Sequence, residues 1–140
     1  MGLWNFIKDK GKKLVGSAEA SPSEDALKQE IQDLGLDATG LDITVEGDTV
    51  KVSGNAVSQE AKEKVILAVG NVEGVAAVED DVAGVDPVFH TVAKGDSLWK
   101  IAEKTLGNGA RYTEIFEANR PMLSDPDKIY PGQVLRIPQG

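Results

Sequence analysis

The chain has 140 residues and a formal net charge of -8, and it contains no cysteine. This length suits one ordinary domain or two small ones, and the lack of cysteine excludes a disulfide framework, a zinc-thiolate site and a cysteine nucleophile. The acidity is concentrated in residues 21–88, which carry fifteen acidic residues against four lysines, so the basic surface that nucleic-acid binding requires is missing.

The first fifteen residues, MGLWNFIKDKGKKLV, mix bulky apolar side chains with lysines. The lysines follow the short apolar run, and no longer apolar core precedes a small-residue cleavage site, so the segment is not typical of a secretory signal. Myristoylation is not expected, because Phe6 stands where the motif requires Ser or Thr. No apolar run approaches the length of a bilayer span. We therefore predict a cytoplasmic protein that begins near Met1 and has no membrane span.

Residues 21–24 read Ser-Pro-Ser-Glu, which is typical of a helix start with a serine cap, a proline in the first turn and a capping-box glutamate. Gly35 predicts the end of this helix. Its apolar face comprises Leu27, Ile31 and Leu34. Apolar residues then alternate with polar ones over 41–45 and 50–52, on either side of Gly47-Asp48, and this pattern predicts a tight hairpin.

A second helix is predicted from a Ser58 cap to Val69, with Gly70 as its terminator and a strand over 75–78 after it. Residues 65–69 are all apolar, so they point all round the helix and need a second covering layer. We expect residues 1–15 to supply it, through Leu3, Trp4, Phe6 and Ile7. A membrane-surface amphipathic helix is the alternative for the same segment.

The predicted order of helix, hairpin, helix and strand resembles a BON domain. The family's spacing is matched over residues 23–82 by Val52, Gly54, Ala56, Ser58, Lys62, Val69, Val72, Gly74, Val75, Val78 and Val82.

The C-terminal part predicts the order strand, helix, helix, strand. Gly95-Asp96 ends a short strand, and Asp96 or Ser97 caps a helix that Gly107 terminates. A second helix ends at Asn119 as a left-handed terminator, and residues 134–137 form the closing strand. The apolar helix positions are Leu98, Ile101, Ala102, Leu106, Tyr112, Ile115 and Phe116. Two strands are not stable alone, so both helices must cover one face of the pair.

This C-terminal part resembles a LysM domain, from HTVAKGDSLWKIA at residues 90–102 to IYPGQVLRIP at residues 129–138. The fold class is therefore α+β with two small domains: residues 1–22 as a segment packing on the first domain, 23–86 as BON and 87–140 as LysM. The resemblance implies a groove for N-acetylglucosamine chains or peptidoglycan. Its residues would be Gly95, Asp96, Ser97, Leu98, Met122, Leu123 and Ile129.

The combination of the two domains resembles a family of bacterial cytoplasmic potassium-binding proteins. This resemblance implies selective, reversible binding of K⁺, with Rb⁺ and other large monovalent cations as related ligands, by a monomer whose LysM domain docks in the bound state. In that family main-chain carbonyls hold the ion. By position they belong to Ile7, Lys8, Lys10, Gly70, Val72 and Val75. Carbonyls left unpaired at a helix end suit K⁺, although Lys10 replaces a small residue and its ammonium would weaken or retune the site.

Four alternatives bear on this prediction. Residues 70–75 taken alone are equally typical of a helix end followed by a turn. An enzyme is not expected, because His90 is the only histidine and no serine has a base in its sequence context. A calcium site is not expected, because the acidic residues at 79–81 and 125–127 lack the spacing of an EF-hand loop. Glycan binding through the LysM domain is the alternative function, and the absence of an export signal argues against it.

Overall fold

The computed structural model describes residues 2–6, 24–72, 74–84, 87–120 and 122–138. The chain divides into two compact units, residues 1–86 and 87–140, and both combine helices with a sheet, so the predicted α+β class is confirmed. The serine cap and proline predicted at residues 21–22 lie outside the described residues. Among the described helices, none combines the length and apolar character of a membrane span.

The first unit is built on a four-stranded sheet in the order β1-β4-β3-β2. Strands β3 and β4 run parallel, which requires the helical crossover between them, and the other two pairings are antiparallel. The elements are β1 (Gly2–Asn5), α1 (Glu24–Asp33), β2 (Leu41–Glu46), β3 (Thr49–Gly54), α2 (Gln59–Gly70) and β4 (Ala77–Val82).

Local signals in this unit behave as predicted. The end of α1 is a Schellman motif, in which the Leu36 N–H donates to the Ile31 carbonyl at 3.1 Å and Gly35 has a φ of 73°. Gly47 and Asp48 connect β2 to β3, with Glu46 opposite Thr49. The Ser58 hydroxyl accepts from the Ala61 N–H at 3.0 Å and caps α2. Both helices pack on one face of the sheet over a core that includes Leu27, Ile31, Ile43, Val50, Val52, Val65, Ile66, Val69 and Val78.

The N-terminal segment does not take the predicted place over its described part. Residues 2–5 form an edge strand that pairs with β4, and Leu3 is 60% exposed. Leu3 therefore does not cover α2 as predicted, and residues 2–5 do not form a surface helix. Without β1, the edge of β4 would carry unpaired N–H and C=O groups. The N-terminal segment adopts an extended conformation and pairs with these groups. Trp4 is half-buried and Phe6 is buried, with 8% exposure, while residues 7–15 of this prediction lie outside the described residues.

The strand after α2 also differs from its predicted bounds of 75–78, since β4 begins at Ala77 and extends to Val82. Val75 still belongs to the preceding turn, where its N–H donates to the Val72 carbonyl at 3.2 Å. The acidic continuation is strand because Glu79 and Asp81 face outward while Asp80 is buried beside Lys62. Side chains therefore alternate between the two faces of the sheet from residue 79 to residue 82, although the inward residue Asp80 carries a charge.

The second unit has the predicted order. Its elements are β5 (Phe89–Thr91), α3 (Leu98–Leu106), a 3₁₀ turn (Gly109–Arg111), α4 (Tyr112–Ala118) and β6 (Val134–Arg136), with β5 and β6 antiparallel. The Ser97 hydroxyl caps α3, and Gly107 ends it with a left-handed φ of 76°. The core contains Val92, Leu98, Ile101, Ala102, Ile115, Leu123, Leu135 and Ile137.

Asn119 is not the left-handed terminator that the sequence predicts, because its φ is -108°. Its amide is used elsewhere. The Nδ2 group donates to the carbonyls of Ile115 at 2.7 Å and Arg136 at 2.9 Å, and Oδ1 accepts from the Arg136 N–H at 2.7 Å. The side chain thus joins the end of α4 to β6.

Candidate functional site

The turn after α2 carries three of the residues predicted to hold an ion: Gly70, Val72 and Val75. All three are buried. Gly70 is the last helical residue, and the next N–H, that of Asn71, still donates to the Leu67 carbonyl at 3.0 Å. The left-handed position is Gly74, with a φ of 100°. Gly70 therefore does not end the helix by its own conformation, and the reason for a glycine there lies in its neighbours.

The neighbour is Phe6. A Cβ atom at Gly70 would overlap three atoms of the Phe6 ring, so the ring lies directly on the helix backbone. The Phe6 N–H donates to the carbonyl of Ala76 at 2.8 Å, and the Ala76 N–H donates to the carbonyl of Asp48 at 2.8 Å. Phe6, the residue after strand β1, thus contacts both ends of the turn 70–76, and Asp48 of the β2–β3 hairpin accepts a hydrogen bond at the far end.

The groups predicted to bind an ion in this turn are backbone carbonyls. The Val72 carbonyl accepts from the Val75 N–H at 3.2 Å, and within the described residues no N–H group donates to the carbonyl of Gly70 or of Val75. The end of a helix bears a partial negative charge from such carbonyls, and neutral carbonyl oxygens are the ligands that replace the hydration shell of K⁺. The other predicted ligands, Ile7, Lys8 and Lys10, lie outside the described residues.

A buried ion pair of the same unit was not foreseen from the sequence. The Nζ atom of Lys62 lies 3.6 Å from Oδ2 of Asp80, with side-chain exposures of 1% and 0%. Lys62 Nζ donates to the Val82 carbonyl at 3.2 Å, and the Val82 N–H donates to Asp80 Oδ1 at 3.0 Å. The pair fastens α2 to the end of β4. Its only sequence signal is a lysine between apolar helix positions, which is usually read as solvent-exposed.

Carboxylates do not gather into a divalent-metal site in the described part of the chain, where no cluster of three or more His, Cys, Asp or Glu side chains could hold a metal ion. Glu63 is buried, but its carboxylate accepts from the Gln59 side chain at 2.7 Å.

The residues of the predicted glycan groove fall into two groups. Leu98 and Leu123 are core residues, and Ile129 packs against the same core, so these three are brought together but point inward. Gly95 and Ser97 are exposed and Met122 is half-buried, so these predicted groove residues are accessible from the surface.

Asp96 is committed to the loop itself. Its Oδ2 atom accepts from the Ala93 N–H at 2.9 Å and lies 3.1 Å from His90 Nε2, and Lys104 Nζ is 3.6 Å from Oδ1. The Ala93 N–H, then His90, hold the pKa of the Asp96 carboxyl below its ordinary value, against partial desolvation. The side chain is 6% exposed, so it supports the loop shape more than it faces a ligand.

Comparison with known sequences agrees with both units. The family profile of the BON domain matches residues 22–85, and that of the LysM domain matches residues 90–138. The molecule is therefore a two-domain protein in which a BON domain precedes a LysM domain. It belongs to the family of the potassium binding protein Kbp of Escherichia coli O6:H1, to which it is 45% identical over 148 residues that cover 99% of each chain.

Other relatives match one part of the chain. An uncharacterized protein of Deinococcus radiodurans is 43% identical over 89 residues, which are 64% of this chain and 29% of that protein. The SpoIVD-associated factor A of Bacillus subtilis is 49% identical over 50 residues, which are 36% of this chain and 12% of that protein. Of these relatives, the Escherichia coli protein is the one that shares the full two-domain length.

Proposed function

We propose that this protein binds potassium ion selectively and reversibly through its BON domain. The observation that carries the proposal is the match of 45% identity over 99% of both chains with a protein named for potassium binding. The turn after α2 supports it, because Gly70, Val72 and Val75 are buried at or just after the end of a helix, where backbone carbonyls bear a partial negative charge.

The ion is held by the main-chain carbonyls of Gly70, Val72 and Val75, together with those of Ile7, Lys8 and Lys10 in the N-terminal segment. Binding replaces the water shell of K⁺ with a set of neutral oxygens, so Rb⁺ is accepted as a similar large ion, while small or divalent ions are poorly accommodated. The Lys10 ammonium retunes the affinity because it adds a like charge near the ion.

In this proposal the protein is a cytoplasmic potassium sensor or buffer, a monomer and not an enzyme, and its LysM domain docks in the ion-bound state. A ligand that binds the folded state with preference for one arrangement shifts the population toward that arrangement. The LysM residues 87–140 then act as the responding element, and the BON unit as the ion-binding element.

The test is thermal unfolding of the full chain in KCl, RbCl, NaCl, MgCl₂ and CaCl₂ at matched ionic strength, with isothermal calorimetry for the affinity. Potassium at a hundredfold excess over its dissociation constant should add about 2.7 kcal/mol to the free energy of unfolding. Equal melting temperatures in KCl and NaCl would contradict the proposal.

Glycan binding through LysM is the second candidate, favoured by the match of residues 90–138 to that family and by the exposed Gly95 and Ser97. Retention on chitin or peptidoglycan beads separates the two. The potassium proposal expects weak retention, whereas strong retention without potassium would support the glycan alternative. Ser97 caps α3, so Met122→Ala is the better groove variant because it leaves the cap intact.

A further inference from the structure

Phe6, which directly follows strand β1, reaches both ends of the turn 70–76, Gly70 with its side chain and Ala76 with its backbone. We propose that Phe6 is a positioning residue for potassium: its ring sets the place of Gly70, and its N–H sets the place of Ala76, so the carbonyls between them keep the spacing that the ion needs. The inference rests on the proposed function. It adds a side chain to a site otherwise made of backbone.

The residue that lies against the Phe6 ring is Gly70. Gly70 lies in the last turn of α2 without a left-handed φ, so its backbone suits alanine, which helices prefer. Space is what forbids alanine, because a Cβ atom there would overlap the Phe6 ring. The glycine is therefore matched to the ring and not to the turn.

The far end of the turn, at Ala76, is held by backbone hydrogen bonds. The Ala76 carbonyl accepts from the Phe6 N–H at 2.8 Å, and the Ala76 N–H donates to Asp48 in the hairpin at 2.8 Å. The start of the turn, in contrast, is held to β1 by the ring. Removing the ring leaves the hydrogen bond at Ala76 in place and frees the end of α2 from β1, which changes the distances among the carbonyls of Gly70, Val72 and Val75.

The contact between Phe6 and Gly70 involves no charged group. Phe6 is 8% exposed, and its ring touches the backbone of a helix end through van der Waals contact. Its effect on the ion is therefore geometric. It should change the affinity of the folded protein and the discrimination between ions of different size, which a general loss of stability would not do.

The experiment compares Phe6→Ala, Gly70→Ala and the double variant in the full chain, with Leu3→Ala as the matched control, because Leu3 lies three residues before Phe6, in strand β1, and is exposed. Potassium and rubidium affinities are measured by calorimetry at a temperature where circular dichroism shows each variant folded. Each single variant at the contact should bind potassium about tenfold more weakly, and Leu3→Ala should bind as the wild type does.

The double variant tests whether the two substitutions act through the same contact. Once the ring is absent the alanine methyl group has nothing to overlap, so the double variant should bind no more weakly than Phe6→Ala alone. Multiplied effects of the two substitutions, or unchanged affinity and unchanged ratio of potassium to rubidium affinity in Phe6→Ala, would overturn the inference. Phe6→Leu, which keeps an apolar side chain at the contact, should recover part of the affinity and guards against misfolding of the alanine variant.

Hydrogen exchange separates this inference from the proposed function. The Val75 amide, bonded to the Val72 carbonyl, should exchange faster in Phe6→Ala than in Leu3→Ala even in sodium buffer. Equal exchange rates would overturn the positioning role. A wild-type protein that binds no potassium would instead contradict the proposed function and remove the ionic part of the inference, and faster exchange would still support the positioning of the turn.

Discussion

The ring of Phe6 lies against Gly70, sixty-four positions away in the sequence, and this contact joins the residue after edge strand β1 to the end of helix α2. It explains why a glycine stands in the last turn of a helix whose own conformation does not require one. It also places the end of the N-terminal strand segment beside the turn that carries Val72 and Val75.

Removing one partner of the buried ion pair should strongly destabilise the BON unit. Lys62→Met leaves the Asp80 carboxylate buried without its cation, and the expected loss is about 3–5 kcal/mol in the free energy of unfolding. The double variant Lys62→Met with Asp80→Leu should recover much of it. Urea unfolding measures both values. The control is Lys51→Met, whose ion pair with Asp81 is exposed, so its loss should be small. A similar loss for Lys62→Met and Lys51→Met would show that the burial of the pair is unimportant.

Asn119→Ala should destabilise the LysM unit by about 3 kcal/mol, because the carbonyls of Ile115 and Arg136 and the Arg136 N–H lose a buried partner. Asn119→Asp should be worse at neutral pH, since a carboxylate has no proton to donate to the two carbonyls. The control Asn108→Ala removes an exposed cap of the 3₁₀ turn and should cost about 1 kcal/mol. Chemical unfolding gives the comparison, and equal costs at positions 108 and 119 would refute the bridging role.

The pH dependence of the LysM unit should include a contribution from Asp96. The Ala93 N–H and His90 lower the pKa of this carboxyl below the ordinary value of 3.8, so its stabilisation is fully present above that value and is lost as the pH falls through the lower folded pKa. Asp96→Asn keeps an acceptor for Ala93 but cannot titrate. Its melting temperature should therefore fall less steeply in this acidic range than that of the unsubstituted protein.

Tryptophan fluorescence can report this unit separately, because the chain has two tryptophans and Trp4 lies in the other unit. Both proteins in the Asp96 comparison therefore carry Trp4→Phe, which leaves Trp99 as the probe. Parallel acid profiles for the two proteins would mean that Asp96 contributes nothing to the pH dependence.

Gly54→Ala should cost more than Gly47→Ala in the same hairpin. Both glycines have positive φ, 107° and 62°, so both substitutions strain the backbone. At Gly54 a Cβ atom would also overlap the Gly40 carbonyl oxygen, whereas nothing lies near the corresponding position at Gly47. We expect about 1–2 kcal/mol for Gly47→Ala and a clearly larger loss for Gly54→Ala, measured by thermal unfolding. Equal losses would mean that the backbone relaxes around position 54.

Local chemistry determined much of the fold. Ser58 and Ser97 begin helices because their hydroxyls accept from free N–H groups, and Gly35 and Gly107 end helices because they accept a left-handed backbone. Each signal acts over a few neighbouring residues, so it can be read without knowledge of the rest of the chain. The positions of Gly70, Val72 and Val75 came from resemblance to a family, and the structure places these residues in one buried turn.

Only the tertiary structure decided the rest. The run Leu3-Trp4-Asn5-Phe6 suits a strand or a covering layer, and the free edge of β4, which exists only after the sheet has formed, selects the strand. Lys62 and Asp80 read as solvent-exposed charges until α2 and β4 bring them together. Gly70 reads as a helix terminator until Phe6 is seen on it. In each case the deciding partner is distant along the chain, and sequence periodicity carries no information about which distant surface will arrive.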